Sequence, residues 1–548
     1  MSDPSLPPKQ YLLPTVIAVA VMFGAYSLLH VAVPGVNEPH YLGKARAAWD
    51  PEWCRHDFFL QSPAAHAVFF NVVGYFTQYW SLAIIAVAGR LLSSLALAWG
   101  WSLLAASLGL RRFATVLAAV VFSGLTLTGN FSGEWILGGF ESKVPAWAFA
   151  FAAVATWLGS EVLSSAPEAE RRSGARRRPV ITGLYLGISV ALHPVVGGWF
   201  VVGISMVDLG CAVPAVRRRL LGGESDATAK YDLTSWLTMI GVAVVAGLPG
   251  LIPALQVVAT SDLSPWEQGM ANRIQVFMRL RHHLDPARFP PYAWIHAVTL
   301  LVVIGCCSRA LLRQDDTQTL RRYLLLIGAA ILIGAVGVAV GAHWGEVVHL
   351  YHWSPRAFLL KFYPFRLIDV LMPVTASILL VRLLLPVFDR RFGDRSAVRP
   401  AFMVTMLTVV LLFAWFSRRE SPSGYSTHEY AEWKTACEWI CENTPGDSLF
   451  VTPREAVAFK WFAERAEYVC YKDCPQDGAG ILEWRQRIRN LGELRPIQLN
   501  RNLKESDLQK MSSEWQITHF MTRDHVVEDV RPLYRNDVWR VYAATADK

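Results

Sequence analysis

The chain has 548 residues, 53% hydrophobic and 18% charged, with a mean hydropathy of +0.29. That balance excludes an ordinary soluble globule of this size and points to an integral membrane protein. The formal charge of +8 is modest, and Lys and Arg gather in short loops between apolar runs, so it reads as topology information and not as a nucleic-acid surface.

Apolar runs of roughly 17 to 25 residues predict spanning helices. In chain order they lie near 12–32, 82–109, 113–129, 145–160, 234–257, 293–311, 321–341, 364–387 and 400–416. The first run lacks a small-residue cleavage site and is expected to be an anchor. The stretch 180–210 has bases on both flanks, Arg171 to Arg178 before it and Arg217 to Arg219 after it. Both ends are therefore expected on one face, with the chain turning back at His193-Pro194. The result is a polytopic α-helical membrane protein with about eleven crossings, the N-terminus cytoplasmic. Residues 33–80, 130–144, 258–292 and 342–363 become outer loops of a transmembrane domain over 1–417.

Residues 418–548 are mixed polar. Helical patterns near 428–443, 453–463, 476–491 and 505–514 alternate with strand-like runs at 448–452, 466–471, 517–522 and 538–543. That alternation predicts a small extracytoplasmic α/β domain. Cys437 and Cys441 have three residues between them, as do Cys470 and Cys474. Outside the membrane, disulfides joining the first pair's helix to the second pair's loop are expected, with a four-Cys zinc site as the alternative.

The first outer loop crowds Glu38, His40, Asp50, Glu52, His56 and Asp57 beside the first span. The segment before Asp57 is expected to lie flat as an interfacial helix with Trp49, Trp53, Phe58 and Phe59 on its apolar side. A carboxylate partly desolvated at the water's edge accepts a proton more readily near neutrality. The plain alternative is solvated acids on a loop. The segment Asn130 to Trp147 adds Glu134, Glu141 and Lys143; Glu141 and Lys143, two apart, are not expected to pair on a helix.

Met278 to Pro290 gathers Arg279, Arg281, His282, His283 and Arg288. Such donors suit a phosphate or pyrophosphate, and an anionic-lipid contact is the bland reading. Adjacent His side chains on a helix diverge by about 100°, which disfavours a shared metal. His343 to Val370 contributes His343, Glu346, His349, His352, Arg356, Lys361, Arg366 and Asp369, the last two spaced for an ion pair on one helical face. His193 is expected to be a buried, satisfied imidazole. No Walker A, dinucleotide-binding glycine fingerprint or HExxH motif occurs.

One span, an outer loop with an acid in "NEPHY" and a second in "RHDFF", many further spans and an outward C-terminal α/β domain together resemble the GT-C superfamily of membrane glycosyltransferases. With "RHH" in a middle loop and "FYPFRLIDV" near the end, the layout is also similar to bacterial membrane proteins of the same build without an assigned activity. The resemblance implies polyprenyl-phosphate-linked sugar donors, glycan, lipid or protein acceptors, and residence in a bacterial inner membrane. It also implies a first-loop carboxylate as catalytic base, Glu38 first and Asp57 second, acting with inversion. Candidate substrate-binding residues are His40, Glu141, Lys143, Arg279, His282, His283, His352, Arg356, Lys361 and Arg366. No ligand set demands a cofactor, although a divalent cation could assist. The competing classes are a transporter or lipid-handling protein, and a non-catalytic relative of the same build.

Overall fold

The computed structural model describes residues 9–159, 168–213, 216, 221, 233–259, 262–315, 317–347, 352–392, 398–418, 420–493, 502–523 and 526–544. His349 and Arg217 to Arg219 lie outside them.

In hydrocarbon every backbone polar group must be satisfied within its own segment, so the apolar runs fold as helices. Eight described helices are long and apolar enough to cross a membrane: Leu12–His30, Leu82–Ser107, Pro194–Ala212, Leu233–Ala259, Pro291–Gln314, Gln318–Gly341, Arg366–Phe388 and Val398–Phe416. Two of the expected spans are shorter, Arg112–Leu127 and Lys143–Leu158, with 16 residues each. At 1.5 Å per residue they reach about 24 Å, less than a bilayer's hydrocarbon core. The helix Glu168–Leu192 is polar in its first half and apolar in its second.

The turn expected at His193-Pro194 is present. One helix ends at Leu192 and the next begins at Pro194, with the His193 Nδ1 3.4 Å from the Val196 nitrogen. Proline suits this first position, where its missing N–H would be unpaired in any case. The two helices touch closely here, since a Cβ on Gly197 would stand 2.3 Å from the Val190 nitrogen. The same device recurs where Gly100 faces the Ala148 carbonyl, a Cβ there lying 2.2 Å from the oxygen. Small residues let membrane helices approach to this degree. Between them Trp101, Trp147, Phe122, Phe151 and Phe200 fill the core.

The first outer loop departs from expectation. Glu38 opens a helix, Glu38–Ala47, and the chain then runs through turns to Ser62. No interfacial helix forms before Asp57. Pro51 has no amide N–H to continue a helix, and Trp53 and Phe59 are buried in a core while Trp49 is exposed. The helix with an exposed aromatic face is instead Ala67–Thr77, where Val72, Tyr75 and Phe76, and beyond its end Tyr79 and Trp80, are open to the surroundings.

The C-terminal region holds strands β1 (Leu449–Val451), β2 (Ala466–Glu467), β3 (Leu503–Lys504), β4 (His519–Thr522), β5 (Val527–Glu528), β6 (Tyr534–Arg535) and β7 (Arg540–Ala543). Five of them form a sheet in the order β2-β1-β4-β7-β6, parallel at β2-β1-β4 and antiparallel from β4 onward; β3 and β5 pair separately. The helices Thr427–Asn443, Phe459–Ala463, Gly478–Glu493 and Glu505–Trp515 accompany them. The first is closed by a capping box between Ser426 and Glu429. One apolar cluster packs Trp433, Phe450, Phe459 and Trp539. A second joins Trp484, Phe520 and Tyr542 to Leu42, Phe59 and Phe69 of the first outer loop. The sheet region and that loop thus share a core.

All eight cysteines are free thiols. The disulfides expected between Cys437 or Cys441 and Cys470 or Cys474 are not formed. Cys437 is packed among Trp433, Ile440 and Phe450, while Cys470 directs its Sγ to the Ala456 carbonyl at 3.5 Å. The four thiols do not gather as a zinc site either: the described group with metal-ligating spacing is Glu467, Cys470 and Asp473.

Candidate functional site

Arg90 is the lone charged residue in the apolar helix Leu82–Ser107, and a charge at such a depth needs a partner. It finds Glu38. Arg90 Nε and Nη2 donate to the two Glu38 oxygens at 2.7 Å each, and the Gly35 and Phe140 amides donate to the same carboxylate at 2.6 and 2.7 Å. The remaining guanidinium hydrogens reach the carbonyls of Val31 and Ala32. Both side chains are wholly buried. Four donors on two oxygens saturate the carboxylate, and a substrate hydroxyl has no approach to it. Glu38 ties the start of its helix to a membrane helix.

Asp57 is held likewise. Its oxygens accept from the Leu60 amide at 2.9 Å and the Glu467 amide at 3.0 Å, and the Lys460 ammonium lies 3.2 Å away. Lys460 also meets Glu467 at 2.8 Å and Asp473 at 2.6 Å. Asp473 in turn accepts from His40 Nδ1 at 3.0 Å, and Thr452 donates to Glu467 at 2.7 Å. Burial alone would drive the Lys460 ammonium toward its neutral form, but Asp473, Asp57 and Glu467 hold its pKa well above the usual value. Burial also works to raise Asp473; Lys460 and His40 outweigh it and hold that carboxyl below its usual range. Glu467 is pushed up to about 7 by burial, opposed by Lys460 and reinforced by Asp473 and Asp57.

Glu467, Cys470 and Asp473 place ligand atoms within 4.8 Å of one another. The Lys460 ammonium touches both carboxylates, so it fills the place of a cation and the donor set does not fit a resident metal. An open cavity of about 470 Å³ lies alongside, between residues 55–63 and the start of the helix Gly478–Glu493.

A second centre lies where the segments 130–144, 275–290 and 361–366 meet at the heads of the apolar helices. Lys143, first residue of its helix, reaches Glu141 at 3.0 Å and Glu134 at 3.9 Å. Arg366, first residue of a spanning helix, meets Glu134 at 3.3 Å and donates from Nη1 to His193 Nε2 at 2.9 Å. Its guanidinium lies 4.2 Å from the centre of the Tyr363 ring. His193 packs against His66 with centroids 4.6 Å apart and the rings tilted by 38°, and the His66 Nδ1 is buried without a partner among the described residues. His283 bonds the Ser132 carbonyl at 2.5 Å, with His282 beside it.

Arg279 donates from Nη2 to the Lys472 carbonyl at 2.8 Å and lies over the Tyr471 ring, while its Nε is buried without a partner among the described residues. The Lys472 ammonium has no hydrogen-bond or ion-pair partner among the described residues. Burial and then repulsion from Arg279 pull its pKa down to about 8. Burial and Arg279 also take His282 to about 4, and burial holds His283 well below its usual value. Both imidazoles are neutral at physiological pH. The centre therefore combines two cations paired with carboxylates, Lys143 and Arg366, with two that have no carboxylate within ion-pairing distance among the described residues, Arg279 and Lys472.

The structure thus brings Glu141, Lys143, Arg279, His282, His283 and Arg366 to one centre and sends His40 to the Lys460 cluster. The other three candidates lie elsewhere: His352 is exposed, Arg356 donates to the Ala342 carbonyl at 3.0 Å, and Lys361 donates to Asn272 at 3.3 Å. Arg366 and Asp369 do not pair, contrary to expectation. Asp369 instead accepts from the Phe131, Ser132 and Glu134 amides and the Ser132 hydroxyl, at 2.5 to 3.0 Å, and so pins the 131–134 loop. Glu141 and Lys143 do pair, because the helix begins only at Lys143 and Glu141 precedes it. Sequence reasoning missed Arg90, Lys460, Asp473 and Lys472. Arg90 had a signal, as a lone cation in an apolar run; the others sit in ordinary polar sequence.

A family model described as a domain of unknown function, DUF6798, matches residues 431–491. No curated protein matches the chain. Among solved structures it is similar to the oligosaccharyltransferase AglB from Archaeoglobus fulgidus in complex with an inhibitory peptide and a dolichol-phosphate: 12% identity over 95% of this chain and 70% of that one, TM-score 0.45. It is also similar to the Archaeoglobus fulgidus oligosaccharyltransferase in complex with Zn and sulfate, at 12% identity over 93% and 68% of the two chains, TM-score 0.47. ArnT from Cupriavidus metallidurans bound to undecaprenyl phosphate shares 13% identity over 98% and 99%, TM-score 0.38.

Proposed function

We propose that the protein is a membrane glycosyltransferase that moves a sugar from a polyprenyl-phosphate-linked donor to an acceptor hydroxyl at the extracytoplasmic face of a bacterial inner membrane. The observation that carries this reading is the group formed by buried Arg279 and Lys143 with half-buried Arg366 and Lys472 where the heads of apolar helices meet the sheet region, two of its cations having no carboxylate within ion-pairing distance among the described residues. Uncompensated buried charge is costly. A lipid phosphate entering sideways from the bilayer relieves that cost, with its isoprenoid tail left in hydrocarbon.

Within this reading the base is Glu141. Glu38 and Asp57 hold the frame, whereas each Glu141 oxygen has one donor among the described residues, Asn37 at 2.9 Å or Lys143 at 3.0 Å, which leaves lone-pair capacity for a hydroxyl. The acceptor oxygen forms its bond to the anomeric carbon as Glu141 takes the proton. The bond from that carbon to the phosphate oxygen breaks on the opposite side, and its electron pair leaves with the phosphate, where Arg279 and Lys472 stabilise it.

The test is transfer from a panel of polyprenyl-phosphate sugars by the full chain in nanodiscs. Glu141→Gln should lower transfer by about 10² or more and leave binding of polyprenyl phosphate intact. Full activity in that variant removes Glu141 as base. A wild-type chain that binds no polyprenyl phosphate removes the reading as a whole.

A further inference from the structure

Resting on that reading, the charges of the centre also specify which form of the lipid phosphate it holds most tightly. Lys143 and Arg366 are matched by Glu141 and Glu134, and the neutral His282 and His283 add no charge. Arg279 and Lys472 remain, two positive charges with no carboxylate within ion-pairing distance among the described residues, Glu141 and Asp473 acting on Lys472 only from farther off. Asp473, next to Lys472, is already held by Lys460 at 2.6 Å. The two cations come from different parts of the molecule: Arg279 from a single π-helical turn, Gln275–Arg279, between the membrane helices, and Lys472 from the loop after β2 in the sheet region. They are fastened together by the bond from Arg279 to the Lys472 carbonyl.

A sugar-linked polyprenyl phosphate is a phosphodiester with one negative charge. When the glycosidic bond breaks, the departing monoester acquires a second, which it keeps above a second pKa of about 6. Two unmatched cations complement the departing state better than the donor. Interactions that strengthen as the bond breaks are those that accelerate the step.

We propose that Arg279 and Lys472 form a dianion seat that binds the released polyprenyl phosphate more tightly than the sugar-linked diester. The sheet region is then part of the lipid-binding site: without Lys472 the spanning helices hold one unmatched cation and prefer neither form.

Titrating the full chain in detergent at pH 7.5 with farnesyl phosphate and with its methyl ester tests this, since the two probes differ by one negative charge. The wild type should favour the monoester by tenfold or more. Lys472→Met should still bind both probes but reduce the preference to about twofold or less, and Lys472→Arg should restore it. Equal affinity in the wild type overturns the inference even if Lys472→Met does not fold, and so does an undiminished preference in a folded Lys472→Met. In either case lipid-phosphate binding, and with it the glycosyltransferase reading, stands. Failure of the wild type to bind either probe would overturn both.

Discussion

Arg90 and Glu38 meet as a two-pronged pair, Nε to Oε1 and Nη2 to Oε2 at 2.7 Å each, with neither side chain exposed. Removing one partner strands a buried charge. Glu38→Ala should therefore cost about 3–5 kcal/mol of stability, and Arg90→Met a similar amount. The double change to Glu38→Met with Arg90→Met should cost less than the two single changes added together. Thermal unfolding followed by tryptophan fluorescence checks this. A Glu38→Ala chain as stable as wild type would show that the pair does not hold the loop to the membrane helix.

Lys460 holds three carboxylates, of which Asp57 belongs to the first outer loop and Glu467 and Asp473 to the sheet region. Lys460→Met leaves them to repel one another and should destabilise by about 3–5 kcal/mol. The expected signature in limited proteolysis is new cleavage in residues 48–63. Lys460→Arg should recover part of the protection.

The pH dependence of stability follows from the buried imidazoles. His40, His66, His282 and His283 all have their pKa lowered chiefly by burial, His66 to about 3 and His282 to about 4. A group with a depressed folded-state pKa adds stability that is present above its unfolded value, near 6.5, and lost as pH falls toward the folded value. Glu467 acts in the other direction. Raised to about 7, it adds stability as pH falls from there toward its ordinary value of 4.5. Asp285, raised by burial, adds to Glu467, and His519, lowered to about 4, adds to the imidazoles; five imidazoles outweigh two carboxyls, so the melting temperature should fall between pH 6.5 and 4. A profile flat over that window would contradict the burial of these rings.

Gly100 allows the helices Leu82–Ser107 and Lys143–Leu158 to touch, with room for no Cβ against the Ala148 carbonyl. Gly100→Val should cost about 1–3 kcal/mol through forced separation, whereas Gly210→Ala, where a Cβ meets nothing within 4 Å, should be nearly neutral. Melting temperatures of the two variants decide the point.

Much of the helical layout was legible because hydrocarbon leaves an apolar run few alternatives. The hairpin at His193-Pro194 could be read from two basic flanks and one proline. The site was less legible. Arg366 and Asp369 have the spacing of a helical pair, yet backbone amides of a distant loop capture Asp369, and no local pattern records that. Glu38 stands where a catalytic acid is expected, but Arg90, 52 positions on in sequence, occupies both its oxygens. The cysteines are spaced like cross-links and instead serve as packing. In each case a contact between distant segments overrode a local rule.

The claim on which the account depends is that the Arg279–Lys472 centre holds a lipid phosphate. Photolabelling of the full chain in membranes with a polyprenyl phosphate carrying a diazirine on its first isoprene unit tests it most directly. The account predicts adducts within residues 275–284, 358–366 and 470–474, removed by excess unlabelled polyprenyl phosphate. Labelling spread over lipid-facing helices such as Val398–Phe416, unchanged by that competitor, would contradict it.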